Sequence, residues 1–226
     1  MPSPIQLYYI TDRAAFPGDE SSRCRQLLDK IAEAARAGID YIQLREKDLS
    51  TRDLEILANE AVRMLRKIQL ETRNSKPETK LLVNSRADLA LAVGADGVHL
   101  RSHDISPEEA AVTHAVAREN SKLTTRNFLT AVSCHSVEDV RRAVRERANF
   151  AVLAPIFGKP MAPAVEAVGL DTLRIACQEE LPVFALGGVT LENTRACIDA
   201  GASGIAAIRL FQNNNIQEVV RHLRQS

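Results

Sequence analysis

Short runs rich in β-branched and aromatic residues alternate along the chain with longer stretches whose apolar residues recur at helical spacing. The pattern predicts strands over residues 6–11, 41–46, 80–84, 97–100, 128–133, 150–156, 183–186 and 204–210. Helices are predicted over residues 22–37, 51–69, 86–93, 107–118, 137–147, 170–179, 191–200 and 216–224. Ala37-Gly38, Gly94-Ala95 and Gly201-Ala202 each fall between a helix and the next strand. There glycine can adopt the left-handed conformation that stops a helix and returns the chain to the sheet. Strict alternation favours a parallel sheet covered by helices, and eight units of this length favour closure as a (β/α)8 barrel. A doubly wound open sheet fits less well, because the first strand ends in Thr11-Asp12-Arg13 and not in a glycine-rich dinucleotide turn.

Composition narrows this picture without changing it. The chain has 226 residues, 45% of them hydrophobic, and no convincing internal boundary, so one domain over residues 1–226 is expected. Lys and Arg total 29 and so do Asp and Glu. This balance argues against a nucleic-acid binder, whose affinity rests on clustered excess positive charge. No apolar run approaches a membrane span, and Met1-Pro2-Ser3-Pro4 does not open a secretory signal, so a cytoplasmic protein without a membrane partner is expected. Cys24, Cys134, Cys177 and Cys197 lie far apart and read as buried thiols.

In such a barrel the active site lies at the C-terminal ends of the strands. The second strand supplies the most informative stretch, Tyr41-Ile42-Gln43-Leu44-Arg45-Glu46-Lys47. Side chains alternate along a strand, so Gln43, Arg45 and Lys47 share a face directed into the mouth, and Ile42 and Leu44 meet the helices. Two cations and an amide there point to a phosphate or diphosphate; a charged strand end fraying into solvent is the plainer explanation. Glu46 falls on the opposite face as an ion-pair partner. After the seventh strand, Gly187-Gly188 lets backbone amides approach an anion beside a helix N-terminus, the recurrent phosphate position of these barrels. A tight turn with Thr190 as helix N-cap would use the same residues. Residues 158–169, with Pro160 and Pro163, overhang the catalytic face and are expected to form a lid.

Taken in order, Tyr9-Ile10-Thr11-Asp12, Gln43-Leu44-Arg45-Glu46-Lys47, Asn84-Ser85-Arg86-Ala87-Asp88, Val93-Gly94-Ala95-Asp96-Gly97-Val98-His99-Leu100, Ser133-Cys134-His135-Ser136, Pro155-Ile156-Phe157, Gly187-Gly188-Val189 and Gly201-Ala202 carry a resemblance. The sequence resembles the thiamine phosphate synthase and TenI family of (β/α)8 barrels over nearly its whole length. The resemblance implies a thiazole phosphate site with Gly187, Gly188 and Ile208 around the phosphate. It also implies a small phosphorylated substrate as the partner. In the synthase branch, Gln43, Arg45, Lys47 and Asn84 would face a pyrimidine diphosphate, with Ser133 and Lys159 among the substrate contacts, and Mg²⁺ would be required.

This chain departs from the synthase pattern. Asn84-Ser85 replaces an Asn-Asp pair whose aspartate binds the metal. Asp104 survives as a second candidate ligand, but Arg101-Ser102 replaces the Gly-Gln leading to it, and a hydroxyl is a poor substitute for a carboxylate on a hard cation. Gly158-Lys159-Pro160-Met161-Ala162 lacks the family's Thr-x-Thr-Lys contacts; Lys159 and Arg101 are the charges available to compensate. These losses resemble the TenI branch, which aromatises a carboxythiazole phosphate by a metal-free proton shift. The resemblance places its histidine at His135, and an imidazole can take and return a proton near neutral pH.

The expected catalytic groups are therefore His135, Lys47 and Arg45. Gln43, Asn84, Ser133, Lys159, Gly187, Gly188, Ile208 and Arg209 are the expected substrate contacts; Arg209 would either strengthen phosphate binding or obstruct it. Asp104 would hold Mg²⁺ in a synthase, whereas a tautomerase needs no cofactor. His99 is expected to be a hydrogen-bonded barrel histidine and His114 and His222 surface residues, while His103 lacks partners at zinc spacing. Three functions remain: a thiazole tautomerase, narrowly preferred; a thiamine phosphate synthase; and a noncatalytic phosphate-ligand sensor. Assembly with like chains is left open.

Overall fold

A computed structural model describes residues 4–72, 78–120, 127–158 and 166–225. Eight strands form in the expected order: β1 (Gln6–Ile10), β2 (Tyr41–Leu44), β3 (Lys80–Asn84), β4 (Gly97–Leu100), β5 (Leu129–Cys134), β6 (Phe150–Leu153), β7 (Val183–Leu186) and β8 (Gly204–Ala207). Each pairs in parallel with its neighbours, and β8 closes on β1 with Gln6 opposite Gly204 and Tyr9 opposite Ala207. Between and after them run α1 (Glu20–Ala37), α2 (Thr51–Glu71), α3 (Ala87–Val93), α4 (Pro107–Asn120), α5 (Val137–Arg145), α6 (Gly169–Ala176), α7 (Thr194–Asp199), α8 (Arg209–Gln212) and α9 (Ile216–Gln225). The fold is a (β/α)8 barrel.

Strand alternation divides the buried side chains into two layers. Leu7, Ile42, Leu44, Leu81 and Val83 face outward and pack with Leu27, Ile31, Leu57 and Ala61 of the helices. Tyr8, Leu82, Ala131, Phe150, Val152, Phe184 and Ala206 fill the interior. The Phe150 ring lies 4.7 Å from Phe184 and 4.9 Å from Tyr41, centroid to centroid, a spacing suited to aromatic pairs. This plug explains Gly204, because a Cβ there would lie 2.2 Å from the Phe184 ring. Serine and aspartate start the helices: Asp19, Ser50 and Ser136 accept from the backbone N–H three residues on. Gly38 and Gly94 end α1 and α3 at φ of 93° and 67°, the stops expected from the Ala-Gly and Gly-Ala pairs.

Several expectations are corrected. The eighth strand stops at Ala207, and Arg209 and Leu210 belong to a helical turn. A run of Ile, Ala and Leu does not by itself separate strand from helix. The second strand ends at Leu44 and the sixth at Leu153, so Arg45 to Lys47 and Pro155 to Phe157 are loop residues. Asn193, not Thr190, is the N-cap of α7. Asn193 ties the preceding turn by accepting from Thr190 N–H and donating to the Gly188 carbonyl. His114 is buried, not a surface residue, and stacks on Phe128 at 5.0 Å. Cys134 and Cys197 are buried, while Cys24 and Cys177 are half-buried; all four are free thiols. No helix among the described residues is long and apolar enough to cross a membrane.

Candidate active site

A cavity of about 480 Å³ opens at the C-terminal ends of the strands. Its wall contains Gln43, Arg45, Lys47, Asn84, Ser133, His135, Gly187 and Ile208, so the barrel brings most of the predicted site residues together. Arg209 and Gly188 are exposed and lie outside this wall. Lys159 and most of the expected lid lie outside the described residues. Where that segment rejoins the barrel, Val168 N–H donates to the Pro155 carbonyl at 2.8 Å.

The alternation of residues 43–47 outlasts the strand because the β1 end holds it. Thr11 N–H donates to the Gln43 carbonyl, and Thr11 Oγ1 accepts from Arg45 N–H at 2.9 Å. The same hydroxyl donates to the buried carboxylate of Glu46. Arg13, with a side chain only 4% exposed, then binds Glu46 at 3.3 Å, Asp48 at 2.7 Å and Glu20 at 2.5 Å. Both carboxylates flanking Lys47 are thus paired with Arg13, Glu46 buried and Asp48 at the surface, which leaves Arg45 and Lys47 facing the cavity. Repulsion from Arg45, together with partial burial and Arg101, holds the Lys47 ammonium below its usual value. The Arg13 clamp is a feature that the sequence reading does not predict. Arg13 and Glu46 are 33 residues apart in the chain, so no local spacing signals the contact.

Hydrogen bonds cross the cavity wall from strand to strand. Gln43 Nε2 donates to Asn84 Oδ1 at 2.9 Å, and Asn84 Nδ2 donates to Ser85 Oγ at 3.0 Å. The Ser85 hydroxyl also helps to hold the Asp104 carboxyl down. Lower in the barrel, the His99 Nε2 lies 2.8 Å from Ser133 Oγ and its Nδ1 lies 3.0 Å from Tyr8 OH. Burial, reinforced by the charge of Arg45, pushes the His99 pKa down to about 3. The ring is neutral at physiological pH and orients Ser133, which agrees with a structural barrel histidine. His103, given little weight in sequence, also lines the cavity.

His135 has a different setting. Its ring is exposed, and Nδ1 lies 2.7 Å from the Ala154 carbonyl oxygen. A carbonyl only accepts, so Nδ1 carries the proton and the neutral ring keeps its lone pair on Nε2. His135 N–H donates to Asp139 at the start of α5, which fixes the backbone under the ring.

The paired glycines have a packing reason. A Cβ on Gly187 would meet Pro155 at 2.7 Å, and one on Gly188 would meet Phe157 at the same distance. Both have positive φ, and Phe157 N–H donates to the Gly187 carbonyl at 3.0 Å. The loops after β6 and β7 therefore need glycine in order to touch, whatever anion they receive.

Asp104 does not offer a magnesium site. Arg101 donates from its guanidinium to Oδ1 at 3.0 Å and from its backbone N–H to Oδ2 at 2.8 Å. Burial works to raise the Asp104 carboxyl, but these bonds and the Ser85 hydroxyl outweigh it and hold the group below the usual carboxylate range. Both oxygens already meet a cation or an N–H group, and the neighbouring position is a hydroxyl. Among the described residues no three His, Cys, Asp or Glu side chains gather as a metal-ligand set. The residues present do not fit Mg²⁺.

A closed parallel barrel with a cationic cavity at its strand C-termini has the layout of a (β/α)8 enzyme. The family model described as thiamine monophosphate synthase matches residues 7–211, and the chain belongs to this thiamine phosphate synthase/TenI family. A putative thiamine-phosphate synthase 2 of Aquifex aeolicus is 39% identical over 207 residues, covering 91% of this chain and 97% of that protein. A putative thiamine-phosphate synthase of Geobacter sulfurreducens is also 39% identical, covering 90% and 85%. The structure of a thiamine phosphate pyrophosphorylase from Pyrococcus furiosus superposes with a TM-score of 0.73 at 26% identity, covering 98% of this chain and 94% of that one. Membership in an enzyme family leaves the noncatalytic sensor without support.

Proposed function

We propose that the chain is a cytoplasmic enzyme of thiamine biosynthesis that binds a thiazole phosphate and aromatises its carboxythiazole tautomer by proton transfer. The observation that carries this reading is the His135 imidazole, anchored through Nδ1 to Ala154 with Nε2 left as the base beside the cavity. Nε2 takes a proton from the substrate, and the imidazolium returns one to the other end of the conjugated system. No net proton is consumed. Arg45, Lys47 and the loop at Gly187 are the groups suited to the phosphate.

A second reading is a thiamine phosphate synthase joining thiazole phosphate to hydroxymethylpyrimidine diphosphate with release of diphosphate. The names of the relatives favour this reading over proton transfer, and Arg45, Lys47 and Arg101 suit a departing diphosphate. The geometry at Asp104 is the reason it stands second here. A paired assay separates the two. The purified protein is given the carboxythiazole phosphate tautomer in one reaction, and both synthase substrates with Mg²⁺ in the other. Tautomer conversion that falls at least ~100-fold in His135→Ala, the scale of general acid–base catalysis, is expected. Thiamine phosphate formation without tautomer conversion would replace the first reading by the second, and full conversion by His135→Ala would remove His135 from the mechanism.

A further inference from the structure

We propose that Arg101, held by Asp104, is a ligand-binding group that stands in for a divalent cation, so that this cavity takes a phosphate or diphosphate group without metal. This rests on the cavity being the ligand site and on neither reaction in particular. The Arg101 side chain is 54% exposed and lines the cavity, whereas that of Asp104 is 11% exposed and lies behind it. The carboxylate accepts from one edge of the guanidinium, through Nη2 at 3.0 Å and Nε at 3.4 Å. A guanidinium carries N–H donors on its other edges, and these remain to meet an acceptor in the cavity.

The pair is part of the wall. Asp104 N–H donates to the Arg101 carbonyl at 3.1 Å, which closes the turn between the two residues. Nearby, Ser85 accepts from Asn84, which accepts from Gln43 on β2. Holding a long side chain in advance lowers the rotamer entropy lost when ligand binds. Charge adds a second reason. Arg45, Lys47 and Arg101 already share this wall, so a dication at Asp104 would have to displace the guanidinium and approach two further cations. An anion with two or more negative charges meets the arrangement as it stands.

The test is titration calorimetry with inorganic diphosphate in the presence of a chelator, on the wild type, Arg101→Ala, Arg101→Gln and Arg45→Ala, with thermal unfolding to verify folding. Mg²⁺ alone is titrated separately into the wild type. Saturable diphosphate binding is expected in the wild type, weakened roughly 10- to 100-fold by either Arg101 substitution, the scale of a hydrogen bond to a charged group. No saturable Mg²⁺ binding is expected. Diphosphate binding that Arg45→Ala abolishes and both Arg101 variants retain overturns the proposal and leaves the cavity as the ligand site. Saturable Mg²⁺ binding by the wild type overturns it too. Failure of the wild type to bind diphosphate overturns both the proposal and the cavity's assignment as an anion site.

Discussion

Replacing Arg13 by Gln tests whether a buried cation organises the mouth from behind. The side chains of Arg13 and Glu46 are 4% and 2% exposed, so the substitution strands a carboxylate that water does not reach. Breaking a buried ion pair by removing one partner costs about 3–5 kcal/mol. The exposed partners, Glu20 and Asp48, are solvated and add little. For a chain of this size each kcal/mol lowers Tm by roughly 2–4 °C, so a drop on the order of 6–20 °C is expected at pH 7. The loss should depend on pH in a definite direction. Burial already raises the Glu46 carboxyl above its unfolded value, against the opposing bonds from Thr11 and Arg13. Without the guanidinium it rises further. A carboxyl raised in the folded state costs stability as pH climbs through its folded pKa, so acidification toward pH 5 should relieve part of the loss. Circular dichroism melts of wild type and variant at pH 5 and 7 measure the difference. A loss below ~1 kcal/mol, or an equal loss at both pH values, would refute a buried pair of this kind.

Gly188→Ala places a Cβ 2.7 Å from Phe157 at a φ of 67°. Left-handed strain of about 1–3 kcal/mol, with crowding added, should appear in a denaturant melt, and an unchanged midpoint would contradict the loop contact. The His99 ring should show no titration between pH 5 and 8 in NMR spectra, since its pKa is pushed to about 3. Because the unfolded chain protonates this residue near ~6.5 and the folded chain does not, stability should fall as pH drops from there toward 3, with a shallower slope in His99→Gln. A ring that titrates near neutrality would mean that burial does not govern it.

The architecture was readable because each level of the pattern agreed: strand alternation, helical spacing and glycine stops all described the same unit. Boundaries failed where one composition serves two conformations. Residues 204–210 are apolar apart from Arg209, and only the turn at Ile208 shows where strand gives way to α8. His114 was misplaced because α4 carries Ala111, Val112, Ala115 and Val116 alongside buried Ala110, so no polar face marks its outside. Alternation alone correctly sent Glu46 away from Arg45 and Lys47. It could not find Arg13, which lies on another strand's loop and joins them only when the barrel closes.

The neutral composition is a sum over unequal ends of short segments. In the loop after β2, Arg45 and Lys47 face the cavity while Glu46 and Asp48 turn to Arg13. In the loop after β4, Arg101 faces the cavity while Asp104 lies behind it. In each case a carboxylate near a cavity cation is held on the far side, by Arg13 in one loop and by Arg101 itself in the other. The two arrangements differ in consequence. Arg13 withdraws anions so that two cations stand unscreened, whereas Asp104 spends its charge on the cation it positions. Neutralising the Asp104 carboxylate by Asp104→Asn would loosen the guanidinium while keeping its charge. That substitution therefore separates the cost of losing Arg101's orientation from the cost of losing its charge.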